Sequence, residues 1–279
     1  MAFERYIEIV VGPKGGQGFK ITDLYIEFTV EKTQEQEPNT GTIKIYNLSE
    51  NTSSQVCVAG NHITLKAGYK DETIAALFFG DVVKGQRKRM QTDYVTELAV
   101  KESRTAVMAS QVSISYDKNI EATTIIQALI DAIGLPSVGI ENVPSDAQYP
   151  GGFSDIGNAC DILTTVLNKF DLTFTIQNEQ LYIIKPGEIV ETTGLVLNKD
   201  TGLLTLPQPI SDKTGDSDIE SEASNKWSFK ALLFPELIPG AGCKVESSTY
   251  NGELLIMRAT FKGDNRVGDF YVECEGISV

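Results

Sequence analysis

Ile26-Glu27-Phe28-Thr29-Val30-Glu31-Lys32-Thr33, followed by Glu37-Pro38-Asn39-Thr40-Gly41-Thr42-Ile43-Lys44-Ile45-Tyr46-Asn47-Leu48-Ser49, decides the fold class. Leu24, Ile26, Phe28 and Val30 alternate with Tyr25, Glu27 and Thr29. A period of two sends one set of side chains to a buried face and the other to solvent, as in a strand. Ile43 and Ile45 repeat the pattern, and Pro38-Asn39 marks the turn between. Ile63, Leu65, Ala67 and Tyr69 repeat it again, and residues 74–83 and 94–100 fit further strands. Gly12-Pro13, Gly15-Gly16 and Asp71-Glu72 mark other turns. A short helix is expected after Leu48, with Ser49 as N-cap, Glu50 and Asn51 in the first turn and Gly60 beyond its end. Several strands at short spacing with one helix make a small β-barrel or sandwich.

The period changes in the middle of the chain. Ile126, Leu129, Ile130 and Ile133 fall on one helical face within 119–133, with Asn119 as cap and Gly134 and Pro136 as stop. A second helix is expected over 155–170, capped by Ser154, with Ile156, Ala159, Leu163, Val166, Leu167 and Phe170 on one stripe. A hairpin then pairs 172–176 with 181–184 through the turn 177–180. Strands return at 195–197, 203–206, 227–233, 243–247, 253–261 and 269–276, with Asn251-Gly252 as a hairpin signal. The expected class is mainly β with an α+β insert: domains 1–103 (β), 104–190 (α+β) and 191–279 (β).

Composition excludes several functions. The chain has 279 residues with 24 Lys+Arg against 38 Asp+Glu, a formal charge of −14. Such a surface repels phosphate, which argues against duplex nucleic acid and anionic membrane partners. No apolar run reaches the ~18 residues that a spanning helix needs. Glu4, Arg5 and Glu8 interrupt the place where a secretory signal carries its apolar core, so the sequons at Asn47 and Asn51 are read as accidental. Cys57, Cys160, Cys243 and Cys274 are far apart, which fits reduced and mostly buried thiols rather than a metal or redox motif. His62 is the single histidine, so a histidine triad or multi-histidine metal site lacks material.

The remaining motifs fail on spacing. Gly12-Pro13-Lys14-Gly15-Gly16-Gln17-Gly18 lacks the Gly-Lys-Ser/Thr of a phosphate loop and runs into a strand. Asp216-Ser217-Asp218-Ile219-Glu220-Ser221-Glu222 resembles a calcium loop, but Ser221 stands where glycine is needed and Trp227 where glutamate is needed. No catalytic, cofactor-binding or metal-binding residue is therefore expected, and no enzyme activity. A carbohydrate-binding or glycoside-cleaving β protein is the rival reading. It would need two carboxylates ~5–10 Å apart beside aromatic platforms, and the single Trp227 speaks against it.

Two stretches resemble a known family, the baseplate hub proteins of tailed bacteriophages. The opening segment is similar to their N-terminal barrel, where a strand ending in Glu31-Lys32-Thr33 leads through Glu37-Pro38-Asn39-Thr40 to Ile45-Tyr46-Asn47-Leu48-Ser49. Leu232-Leu233-Phe234-Pro235-Glu236-Leu237-Ile238-Pro239-Gly240, Tyr250-Asn251-Gly252 and Phe261-Lys262-Gly263-Asp264 look like their C-terminal barrel. The resemblance implies two tube-like β-barrel domains flanking the α+β unit, and a virion protein assembled in the bacterial cytoplasm. It implies a homotrimeric ring between a hexameric tail tube protein and a trimeric spike or cell-puncturing protein. The ring surrounds a channel for the tape-measure protein and for DNA in transit, without specific nucleic-acid binding, membrane insertion or a cofactor. The hub portion of a contractile secretion spike is a variant of the same reading. Some relatives carry a further C-terminal domain or hydrolase; with the last strand ending beside Val279, cell-wall cleavage is expected of a partner.

Three charged stretches are the expected partner contacts. Glu31, Lys32, Glu35 and Glu37 lie on the polar connection 31–40. Arg87, Lys88 and Arg89 form the densest basic run, read as a loop between strands. Asp212, Asp216, Asp218, Glu220 and Glu222 lie on an acidic loop. Part of the excess acid is expected to line the channel, because it lets phosphate slide without sticking.

Overall fold

Alternation along the opening segment produces two antiparallel strands whose apolar residues face inward. The computed structural model of the chain describes residues 4–34, 38–70, 74–102, 110–210 and 225–279. The first β portion contains β1 (Arg5–Gly12), β2 (Phe19–Ile21), β3 (Ile26–Thr33), β4 (Thr40–Tyr46), β5 (His62–Tyr69), β6 (Ile74–Met90) and β7 (Asp93–Lys101). Helix α1 (Glu50–Val56) starts as expected, with the Ser49 side chain accepting from the Thr52 amide.

An insert follows. It comprises β8 (Gln111–Tyr116), β9 (Ile120–Glu121), α2 (Ala122–Ile133), β10 (Ser137–Val138), β11 (Gln148–Tyr149), β12 (Phe153–Asn158), α3 (Ala159–Asn168), β13 (Thr173–Gln177) and β14 (Gln180–Ile184). Two helix starts differ from expectation. Asn119 turns the chain with φ 64°, and α2 begins three residues later behind Glu121, which makes no side-chain cap bond. Asp155 and Ile156 are strand: β12 pairs with β8, setting Ile156 opposite Ser113. That pairing outcompetes the helical stripe, so Asn158 rather than Ser154 caps α3, its Oδ1 accepting from the Cys160 amide at 2.9 Å.

The last portion holds β15 (Glu191–Leu197), β16 (Gln208–Pro209), β17 (Lys226–Leu232), β18 (Ala241–Glu246), β19 (Asn251–Asp264) and β20 (Phe270–Ser278). Asn251-Gly252 opens β19 instead of forming the turn, which Ser247–Tyr250 makes by a 2.9 Å amide-to-carbonyl bond.

Pairing joins the two β portions into one sheet of thirteen strands, in the order β16-β17-β20-β19-β3-β4-β7-β6-β5-β1-β2 with β18 and β15 branching from β19. The junction is β19 antiparallel to β3, with Phe261 opposite Val30 and Gly263 opposite Phe28. A Cβ at Gly263 would come within 2.3 Å of the Phe28 ring, so the seam needs glycine there. Among the described residues the strand pairing closes no ring. One buried cluster spans both portions, from Ile9, Ile26, Ile43, Leu65 and Phe78 to Phe229, Val245, Leu254, Phe261 and Val272. A second cluster fills the insert, with Ile126, Leu129, Leu163, Leu167, Phe174 and Leu181.

Candidate functional site: a buried polar junction and charged sheet edges

The inward face of β3 ends on a charge. Ile26, Phe28, Val30 and Lys32 share that face, and Lys32 has no exposed surface. Its ammonium donates to Asn178 Oδ1 at 2.5 Å, in the two-residue turn between β13 and β14. Asn178 and Glu179 both have positive φ, 53° and 61°, as a tight hairpin of this twist requires. Glu102, also fully buried, accepts from the Glu179 amide at 3.0 Å and from Asn39 Nδ2 at 2.6 Å. Asn39 Oδ1 takes the Thr33 amide at 2.8 Å, and Gln177 Nε2 donates to the Thr33 carbonyl at 2.8 Å. The insert's hairpin is thus fastened to the sheet by a buried hydrogen-bond network.

Electrostatics at this junction follow from burial. Burial drives the Lys32 ammonium toward its neutral form, and Glu102 opposes that. Burial likewise raises the Glu102 carboxyl, with Lys32 and the Asn39 amide pulling it back. His62 begins β5 beside the same turn, its Nδ1 3.7 Å from Asp81 and 3.8 Å from Glu179. A cavity of about 270 Å³ adjoins the hairpin, lined by Thr175, Gln177, Tyr182, Glu191 and Glu236 among others. These groups can hold two parts of a chain together. Lys32, expected at a partner contact, is instead buried, in keeping with its place in the β3 alternation.

The other expected contact residues are scattered. Glu31 is exposed on the outer face of β3, between Thr40 of β4 and Thr260 of β19. Glu35, Glu37, Asp212, Asp216, Asp218, Glu220 and Glu222 lie outside the described residues. Arg87, Lys88 and Arg89 are not a loop: they belong to the 17-residue strand β6, paired with Thr96, Val95 and Tyr94 of β7. The Arg87 guanidinium lies 3.8 Å from the Tyr94 ring centre, and Lys88 is 3.9 Å from Glu97. Elsewhere on the sheet's outer face charges pair off: Glu273 meets Lys230 at 2.7 Å and Lys262 at 3.2 Å, and Glu27 meets Lys44 at 3.5 Å.

No family model matches the sequence, and no curated protein matches it. Solved structures do. The 43 kDa tail protein of prophage MuSo2 from Shewanella oneidensis superposes with a TM-score of 0.68 at 11% identity, covering 97% of this chain and 96% of that one. The chain has a phage tail protein fold. A tail protein from Neisseria meningitidis MC58 gives 0.64 at 9% identity over 98% and 96% of the two chains. A type VI secretion component from E. coli, described as similar to the T4 bacteriophage tail proteins gp27 and gp5, gives 0.57 at 12% identity over 91% and 73%.

Proposed function

We propose that the chain is a structural baseplate protein of a phage tail, a hub that forms a trimeric ring between the hexameric tube and the trimeric spike. The observation that carries this reading is the superposition on the Shewanella tail protein, which spans nearly the whole of both chains. The seam between β3 and β19 supports it, because one chain then presents two β portions, 1–103 and 191–279, side by side around the 104–190 insert. We read these portions as the two tube-like units; three chains present six. A ring of this kind closes through heterologous contacts repeated by rotation. In this reading the tape-measure protein and the genome pass through the ring, and the protein resides in the virion tail. Mass measurement in solution, followed by electron microscopy of tails carrying a labelled copy, tests it. A trimer located at the distal end of the tube is expected. A monomer that never enters tail particles overturns the reading.

A second setting has its own support. The E. coli type VI component and a Francisella PdpA-VgrG complex share the fold, the latter with a TM-score of 0.59 over 98% of this chain and 58% of that one. The same hub role in a contractile secretion spike follows from that likeness, and phage head genes beside the coding sequence would choose the phage.

A further inference from the structure

We infer that the basic outer edge of β6 docks the β8–β12 ribbon of a second copy of the chain. The inference rests on the multi-copy ring proposed above and names the contact that builds it. β5 covers β6 only as far as the pair His62–Asp81, after which Val82 bonds the backbone of Asn61 and Gly60. From there to Met90, β6 has β7 on one side and no strand on the other among the described residues. An uncovered edge is a template for another strand.

That edge is marked by charge. Lys84, Arg87, Lys88 and Arg89 place four of the chain's 24 Lys+Arg within six positions of a protein of charge −14. Lys84, Lys88 and Arg89 are exposed, Lys88 lying 3.9 Å from Glu97 of β7, and Met90 beside them is 56% exposed. The second copy offers the complement. Residues 110–190 hold ten Asp and Glu against three Lys, a formal charge of −7 and half the chain's total. Within that unit β8 and β12 pair with each other and with no third strand among the described residues. One face of the ribbon is covered, since Val112, Ile114, Tyr116 and Phe153 pack against the insert core, which leaves its edge and outer face for a partner. The ribbon exposes Asp155 and, at 79%, Ile156, while Asp117 stands directly after β8. The ribbon's own acids are Asp155 and the flanking Asp117, with Lys118 next to it, so the opposite charge is that of residues 110–190 as a whole. Edge, charge and apolar contact together suit a head-to-tail pairing, as a ring requires.

Cations on a strand edge also serve to repel other strands, so the test separates attraction from protection. Self-association of the full chain is followed by sedimentation velocity at low and high salt, with melting curves to confirm folding. Lys88→Glu/Arg89→Glu is expected to weaken association on the order of tenfold, and added salt is expected to weaken the wild type. Combining it with Asp117→Lys/Asp155→Lys in one chain is expected to restore association. A photo-crosslinking residue at Met90 is expected to capture the 153–158 peptide of another copy. Unchanged association in Lys88→Glu/Arg89→Glu, no rescue by the combined variant, a crosslink elsewhere, or a wild type that stays monomeric overturns the inference. Stronger association of Lys88→Thr/Arg89→Thr does so too and marks the edge as protective. The hub reading is judged apart from these results, by whether the chain occurs in tail particles.

Discussion

Two charged residues do structural work inside the molecule. Lys32 and Glu102 are buried in one network, where each offsets part of the other's desolvation, so removing one leaves the other less compensated. Lys32→Met should therefore lower unfolding stability by about 3 kcal/mol in urea titrations, and Lys32→Met/Glu102→Gln should recover part of that loss. A loss in the double variant equal to the sum of the losses in Lys32→Met and Glu102→Gln alone would show that the two side chains are not coupled. Asp264 acts at the surface end of the seam. Its carboxylate accepts the amides of Arg266, Val267 and Gly268 and the Tyr25 hydroxyl. Gly268 is needed there because a Cβ would come within 2.4 Å of Asp264 Oδ2. Burial favours the protonated carboxyl, but the hydrogen bonds outweigh it and hold the group below its ordinary 3.8. The folded state thus binds fewer protons than the unfolded one, so this stabilisation is complete above the unfolded value and lost as pH falls through the folded one. Asp264→Asn should be less stable by about 2 kcal/mol at pH 7. Its gap to wild type should close below about pH 4, and a gap that persists in acid would rule out the charged form as its source.

Local elements were legible where local interactions decide them. Ser49 caps α1 because a side-chain oxygen three residues before an amide needs nothing from elsewhere. Asn178 and Glu179 turn within the expected segment for a similar reason. The start of α3 was not legible: Ile156 fits a helical stripe, and only β8, brought in by the fold, turns it into a strand residue. Nor was the seam, since nothing near Gly263 announces that Phe28 will lie across it. Gly263→Val tests how much the seam matters. The added side chain must displace the Phe28 ring from its place in the core, at a cost of about 3 kcal/mol. A fall in melting temperature is expected, with new protease sensitivity in β3 and β19 alike; a variant that melts like wild type would mean that the strands part without penalty.

At the scale of the whole molecule the sequence separates into three stretches, while the described residues form two cores. The expected domains 1–103 and 191–279 follow from strand-rich stretches interrupted by helices, and a reading along the chain has no means of seeing that their apolar faces meet. The charge is distributed in the same unequal way. Residues 110–190 carry half of the −14, whereas Glu27 and Glu273 on the sheet's outer face are neutralised by lysines. If that outer face lines a channel, its wall offers paired charges rather than a bare acidic field. The two-core arrangement makes a prediction about opening. Strands that share a sheet and a core expose their amides together, while helices packed on a separate core can open by themselves. Native-state hydrogen exchange on the full chain should therefore give β3, β4, β19 and β20 one common opening free energy. It should give α2 and α3 a different one, and Lys32→Met should speed exchange first at 177–179, where the insert is fastened. Distinct opening free energies for β3 and β19 would mean that the two β portions are independent domains touching at an edge, and the shared core would then contribute little to holding them.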